Sequence, residues 1–107
     1  MTAKAVEASK LALRDLEEAA EYYRREAGGD VALRFIEAAE AAFTAISERP
    51  GSGSSRFAHE LNIPGLRSRR TGRFPFLVFY SEHESHVRVL RVLHGQRDIP
   101  AWMTDGD

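Results

Sequence analysis

Two segments in the second half of the chain, FPFLVFY (residues 74–80) and VRVLRVLH (residues 87–94), constrain its fold more than any others. Both are rich in β-branched and aromatic residues, and both are apolar at nearly every position. They therefore read as strands with two faces to cover, instead of strands with one wet side. In the second, Val87, Val89 and Leu93 point one way and Leu90 and Val92 the other, with Arg88 and Arg91 interrupting the run. The polar stretch SEHES (Ser81 to Ser85) joins strands Phe74 to Ser81 and His86 to His94 as a hairpin, and Leu66 to Thr71 reads as a third strand before them.

The first fifty residues carry a helical period. AKAVEAS reads as a short edge strand, after which Ser9 caps a helix running to about Ala27. In that helix Leu13, Leu16, Ala20 and Tyr23 share one face. Glu21 and Arg25 form an i,i+4 pair worth a few tenths of a kcal/mol. The triplet GGD stops it, Asp30 caps the next helix, and Phe35, Ile36, Ala39, Phe43 and Ile46 make the second apolar stripe, ending near Arg49. So short a connection makes the pair an antiparallel hairpin. The loop PGSGSS (Pro50 to Ser55) marks the switch to strand periodicity. It does not divide domains, because neither half buries its stripe alone. The expectation is one α+β domain over residues 1–107. A short N-terminal strand and a two-helix hairpin pack on one face of an antiparallel sheet.

That arrangement leaves a question. One hairpin covers one sheet face, and no further element is evident for the other. Exposed apolar surface of that kind marks a partner site. The alternative is that the aliphatic stems of Arg67, Arg69, Arg88 and Arg91 close the face unaided.

Charge supports a partner. The formal net charge is −1, but residues 1–50 hold ten acids against seven bases, while residues 66–97 hold seven arginines against Glu82 and Glu84. A basic stripe on a near-neutral protein points to an acidic counterpart. The functional readings of Arg67, Arg69, Arg70 and Arg73 are pairing with acidic residues of a protein, contact with a nucleic-acid-bound target, or RNA phosphate binding; the bland reading is a solvated face. With no cysteine in the sequence, disulfides and thiolate metal sites are excluded. No apolar run approaches the ~20 residues that span a bilayer. The N-terminus lacks a secretory pattern, so a cytoplasmic location is expected.

Other constellations carry less. His83, Glu84 and His86 sit in the hairpin connection without a third or fourth convergent metal ligand. His59 reads as a loop residue, and Ser52, Ser54 and Ser55 lack a histidine and acid at the spacing of a nucleophilic triad. The stretch GSGSSR lacks the Gly-Lys-Ser/Thr ending of a phosphate loop.

The stretch IPGLRSRRTGRFPFLVFYSEHESHVRVLRVLHGQRDIP resembles the C-terminal half of the ParE/RelE superfamily of bacterial type II toxin–antitoxin systems, and the upstream helices resemble that family's hairpin. The resemblance spans about residues 4 to 102. It implies a toxin, active without a cofactor or metal, held inactive in a hetero-oligomer with a ParD-like antitoxin that wraps around it by strand addition or helix docking. The antitoxin contacts it implies are Arg67, Arg69, Arg88, Val89 and Arg91. One branch cleaves messenger RNA on the ribosome with a basic catalytic set; the other inhibits DNA gyrase and contributes to plasmid stabilization. Carried over residue by residue, Arg69 or Arg70 falls near the family's arginine before the long strand and Arg97 matches the one after the last strand, so the ribonuclease reading takes Arg70, Arg97 and His94 as substitute base. The tyrosine expected after Arg97 is replaced by IPAWM, and the family's lysines are missing. The ParE branch is thus the closer one. It implies a gyrase-poisoning protein instead of an enzyme, without sequence-specific DNA binding of its own, with Arg70, Arg73, Arg97 and Trp102 as target contacts. The other readings are a ribosome-dependent endoribonuclease and an inactive toxin that retains only antitoxin binding.

Overall fold

A computed structural model describes residues 3–96 and 99–104. Strand β1 (Ala5–Ala8) leads into helix α1 (Lys10–Ala27) and helix α2 (Gly29–Glu48). A 3-10 turn (Pro50–Ser52) and a short helix α3 (Arg56–Glu60) follow, then strands β2 (Leu66–Thr71), β3 (Phe74–Glu82) and β4 (His86–His94), and finally helix α4 (Ile99–Thr104). The strands form one sheet in the order β1-β4-β3-β2. The expected meander β2–β3–β4 is antiparallel, while β1 adds to β4 in parallel, so the sheet is mixed.

Local chemistry explains the helix boundaries. The Ser9 hydroxyl accepts from the Ala12 N–H at 3.0 Å, as an N-cap does, and donates to the Leu90 carbonyl at 2.8 Å. Gly28 separates the helices with φ of 94°, a left-handed conformation natural to glycine. It serves both helices, so Asp30 falls in the first turn of α2, not at its cap.

The helices face the sheet through small residues. Ala12, Asp15 and Ala19 of α1, and Ala32, Phe35, Ala39, Ala42 and Ile46 of α2, are the buried positions. On α1 this set lies one residue before the stripe expected from the larger side chains, a rotation of about 100°. Leu13 and Ile36, expected inside, stand 51% and 41% exposed. Beneath the hairpin, Phe76, Val78, Tyr80, Val87, Val89 and Val92 complete one core. Tyr23, Phe35, Phe74 and Phe76 pack ring against ring at 5.1–6.1 Å, pinning the hairpin's turn end to the start of β3.

The opposite sheet face has its own cover. Phe57 of α3 and Ile99 of α4 pack with Leu66, Phe79 and Leu93, while Leu61, Ile63, Leu77, Leu90 and Met103 pack against them. The expectation of an uncovered second face is therefore corrected: two short helices missing from the sequence reading roof it. Arginine stems add little to this cover: Arg67 and Arg69 lie on the hairpin side, Arg91 is held by Asp15 of α1, and Arg88 reaches only the polar end of the second face.

The disturbed alternation of VRVLRVLH has a physical cause. Phe79 pairs with Arg91 and Tyr80 with Val89, leaving Leu90 as the extra residue of a β-bulge. The bulge reverses parity within β4. Val87, Val89 and Val92 join the hairpin-side core, and Leu90 and Leu93 join the other.

Candidate partner interface

β2 is an edge strand, and it carries four of the expected contact residues on or beside it. Arg67 and Arg69 pair across the ladder with Tyr80 and Val78, which places them on the hairpin side. There they hold the loop that enters α3. Arg67 Nη1 donates to the Gly53 carbonyl at 2.9 Å, and Arg69 Nη1 to Ser52 Oγ at 3.1 Å. The buried Tyr80 hydroxyl completes the clasp, accepting from the Gly53 N–H at 3.0 Å and donating to the Pro50 carbonyl at 2.7 Å. Burial pushes its pKa above the usual tyrosine value, against the opposing pull of the Gly53 N–H and the two arginines. Part of the β2 edge is also occupied, because Ser54 exchanges two backbone hydrogen bonds of 2.9 Å with Ser68.

Arg70 and Arg73 are different. Both are exposed, Arg70 at the end of β2 and Arg73 in the turn to β3. Arg70 pairs with Leu77, so it sits on the face roofed by α3 and α4, at its rim. These two cations form the accessible part of the basic stripe.

The three contacts expected on β4 do not form one exposed surface. Arg88, half-buried, pairs with Ser81 and with Glu7 at the polar end of the second face. Val89 is wholly buried beneath the hairpin. Arg91 is 6% exposed and grips Asp15 of α1: Nε meets Oδ2 at 2.8 Å and Nη2 meets Oδ1 at 2.9 Å. Val89 and Arg91 are thus interior residues, where the bulge and the Asp15 carboxylate place them, and not a docking face.

Of the ribonuclease candidates, the two that are described, Arg70 and His94, do not converge. Arg70 lies with Leu77 on the second face, whereas His94 pairs with Phe76 on the hairpin side of the sheet. His94 stacks edge-to-face on Phe76 at 5.3 Å, and its Nδ1 accepts from the Gln96 N–H at 3.1 Å. It borders a cleft of about 820 Å³ whose charged rim includes Glu18, Glu21 and Arg25. Arg97 lies outside the described residues, and so does the side chain of Trp102, whose backbone belongs to α4. His83 and His86 stack at 4.8 Å, with Glu7 3.8 Å from His86. Among the described residues no three His, Asp or Glu side chains gather to hold a metal. No helix among them is long and apolar enough to cross a membrane.

What sequence reasoning missed is the exposed apolar surface of the hairpin. Leu13, Tyr22, Leu33 and Ile36 are 41–55% exposed, all on α1 or α2. The signal was present in the alanines at 12, 19, 32 and 42, small residues beside the expected stripes that take up buried positions.

A helical hairpin on one face of a bulged mixed sheet, its second face roofed by two short helices, defines a small α+β protein. The family model of the ParE toxin of type II toxin–antitoxin systems, parDE, matches residues 6–99, and the chain belongs to that family. It is a toxin of the type II class by that membership. Among solved structures it is similar to a chain from the chromosomal ParDE TA system of P. aeruginosa. The two are 18% identical with a TM-score of 0.71, and the match covers 85% of this chain and 95% of that one. No curated protein matches it in sequence.

Proposed function

We propose that this toxin inhibits DNA gyrase inside the cell and is neutralised by a ParD-like antitoxin. Family membership supplies the toxin role and, through the toxin–antitoxin pairing, the kind of partner. The observation favouring gyrase inhibition over message cleavage is the placement of Arg70 and His94 on opposite faces of the sheet. Cleavage through a 2′-OH needs a base and a phosphorane-stabilising cation around one phosphate. Two side chains separated by a sheet do not meet that need. Arg70 and Arg73 remain free for acidic groups of the target or the antitoxin, with Arg97 and Trp102 as further target contacts. Arg67 and Arg69, half-exposed while holding the 50–53 loop, contribute to antitoxin binding at the same edge, and Arg88 from the polar end of the second face.

The test is a gyrase supercoiling assay beside primer extension on translated message. Loss of supercoiling with intact message is expected. Message cleavage with normal supercoiling overturns the gyrase reading, and inactivity in both assays with tight antitoxin binding makes the chain an inactive toxin.

A further inference from the structure

Arginines line the β2 edge of the molecule, and no carboxylate neutralises them. Arg67, Arg69 and Arg70 lie along β2, and Arg73 stands in the turn after it. At one end the loop ties in Arg49: Arg69 Nη1 donates to Ser52 Oγ at 3.1 Å, and that hydroxyl donates to the Arg49 carbonyl at 2.7 Å. At the other end stands Arg34, one helical turn before Ala38, which a Cβ on Gly72 would meet at 3.6 Å. The line follows β2, whose six residues span about 20 Å. Elsewhere Arg24, Arg25, Arg56 and Arg91 each meet a carboxylate within 3.9 Å. Among the described residues, Arg34, Arg49, Arg67, Arg69, Arg70 and Arg73 meet none. Glu37 and Glu48 of α2 are the acids nearest to them in sequence, and neither closes a pair.

We infer that this edge docks on the phosphate backbone of duplex DNA, without reading its bases. Like charges left unpaired along one line repel one another, and a polyanion relieves that repulsion while releasing its own counterions. The guanidinium fork meets phosphate oxygens two at a time. What else the edge displays selects the occupant. A protein partner is held by apolar and aromatic anchors. Among the described residues the exposed large apolar side chains are Leu13, Tyr22, Leu33 and Ile36, and none stands on β2, the 50–53 loop or the turn to β3. Single strands are held by stacking on open aromatic rings, whereas Phe74, Phe76 and Tyr80 beside this edge belong to the core. A line of cations without such groups contacts phosphates and carries no base code. The choice of DNA over duplex RNA rests on the gyrase reading above, because gyrase acts on DNA. The edge gives the toxin its own hold on the duplex that the enzyme works on.

The experiment titrates the full-length toxin, free of antitoxin and gyrase, into fluorescently labelled DNA duplexes of two unrelated sequences. Anisotropy is read over a salt series, with a thermal melt of every variant. Both duplexes bind alike, with Kd of about 10⁻⁴–10⁻⁶ M at physiological salt, and affinity falls steeply as salt rises. Arg70→Gln combined with Arg73→Gln weakens binding equally on both sequences and makes the slope of log K against log salt shallower by about two. Both side chains are exposed, so the melting temperature stays that of the wild type. Arg25→Gln, which removes a charge beside Glu21 on α1, leaves the slope unchanged. No binding at low salt overturns the inference, and so does an unaltered slope in the double variant. A strong preference for one sequence overturns backbone docking, and tighter binding to duplex RNA overturns the choice of DNA. Supercoiling lost by a toxin that leaves the duplex unbound overturns this inference alone. A duplex bound by a toxin that leaves supercoiling intact overturns the gyrase reading and supports the edge.

Discussion

Arg91 of β4 and Asp15 of α1 close a buried, bidentate ion pair at 2.8 and 2.9 Å, and Asp15 Oδ2 also accepts the Val92 N–H at 3.0 Å. β1 pairs with β4 only as far as Val89. Beyond that point the edge of β4 has lost its strand partner, and the Asp15 carboxylate supplies the acceptor that a neighbouring strand otherwise provides. The bulge at Leu90 and the ion pair are parts of one junction, which locks α1 to the sheet.

Breaking that pair leaves one buried charge without its counterpart. Arg91→Met and Asp15→Ala are each expected to destabilise the fold by about 3–5 kcal/mol in urea unfolding. Joining Arg91→Met with Asp15→Leu recovers part of the loss, because no unpaired charge remains, though the Val92 N–H still lacks its acceptor. Equal and additive losses contradict the account.

The Tyr80 clasp makes a separate prediction. Tyr80→Phe removes the acceptor of the Gly53 N–H and the donor to the Pro50 carbonyl, at a cost of about 1–3 kcal/mol. Burial raises the hydroxyl's pKa in the folded state, so the folded form holds the proton more tightly than the unfolded chain. That contribution is whole below about pH 10 and is lost as pH rises through the folded value. A wild-type stability profile that falls at alkaline pH, set against a flatter Tyr80→Phe profile, is the expected result.

Gly53 sits against the same clasp. A Cβ there meets the Tyr80 hydroxyl and comes within 2.9 Å of the Ser68 carbonyl, so Gly53→Ala displaces the 50–53 loop from β2. A lowered melting temperature and faster amide exchange at Ser54 and Ser68 are expected. Gly51→Ala, which meets nothing within 4 Å, is the control.

Most of the fold was legible in the sequence because periodicity and capping agree there. Ser9, the GG break and the three strands of the meander fall where their residue chemistry directs them. The phase of α1 was not legible, since hydrophobicity favours Leu13 while close packing favours alanine; on α2 Phe35, Ala39 and Ile46 are buried as expected, and Ile36 alone of that stripe stands exposed. Asp15 is charged and yet belongs to the buried set, because its partner arrives from Arg91, 76 residues later in the chain. The bulge escaped for a similar reason: an extra residue in β4 is visible only against the register of β3. α3 and α4, at five and six residues, are too short to carry a helical period.

The partition of the arginines gives a further expectation. Arg70→Glu and Arg73→Glu alter stability by less than about 0.5 kcal/mol, as exposed substitutions do. They weaken toxicity or antitoxin binding by charge reversal. Arg67→Glu also loosens the 50–53 loop, so its melting temperature falls while theirs does not.

The proposed inhibition of gyrase goes with a protein whose described residues do not bring Arg70 and His94 together. Purified toxin incubated with DNA gyrase, ATP and relaxed plasmid tests it most directly. The account predicts that negative supercoiling is lost in proportion to toxin and restored by its antitoxin, and that Arg70→Ala combined with His94→Ala leaves ribosome-bound message as intact as the wild type does. Full supercoiling at toxin excess, with message cut on the ribosome and protected by that double substitution, contradicts it.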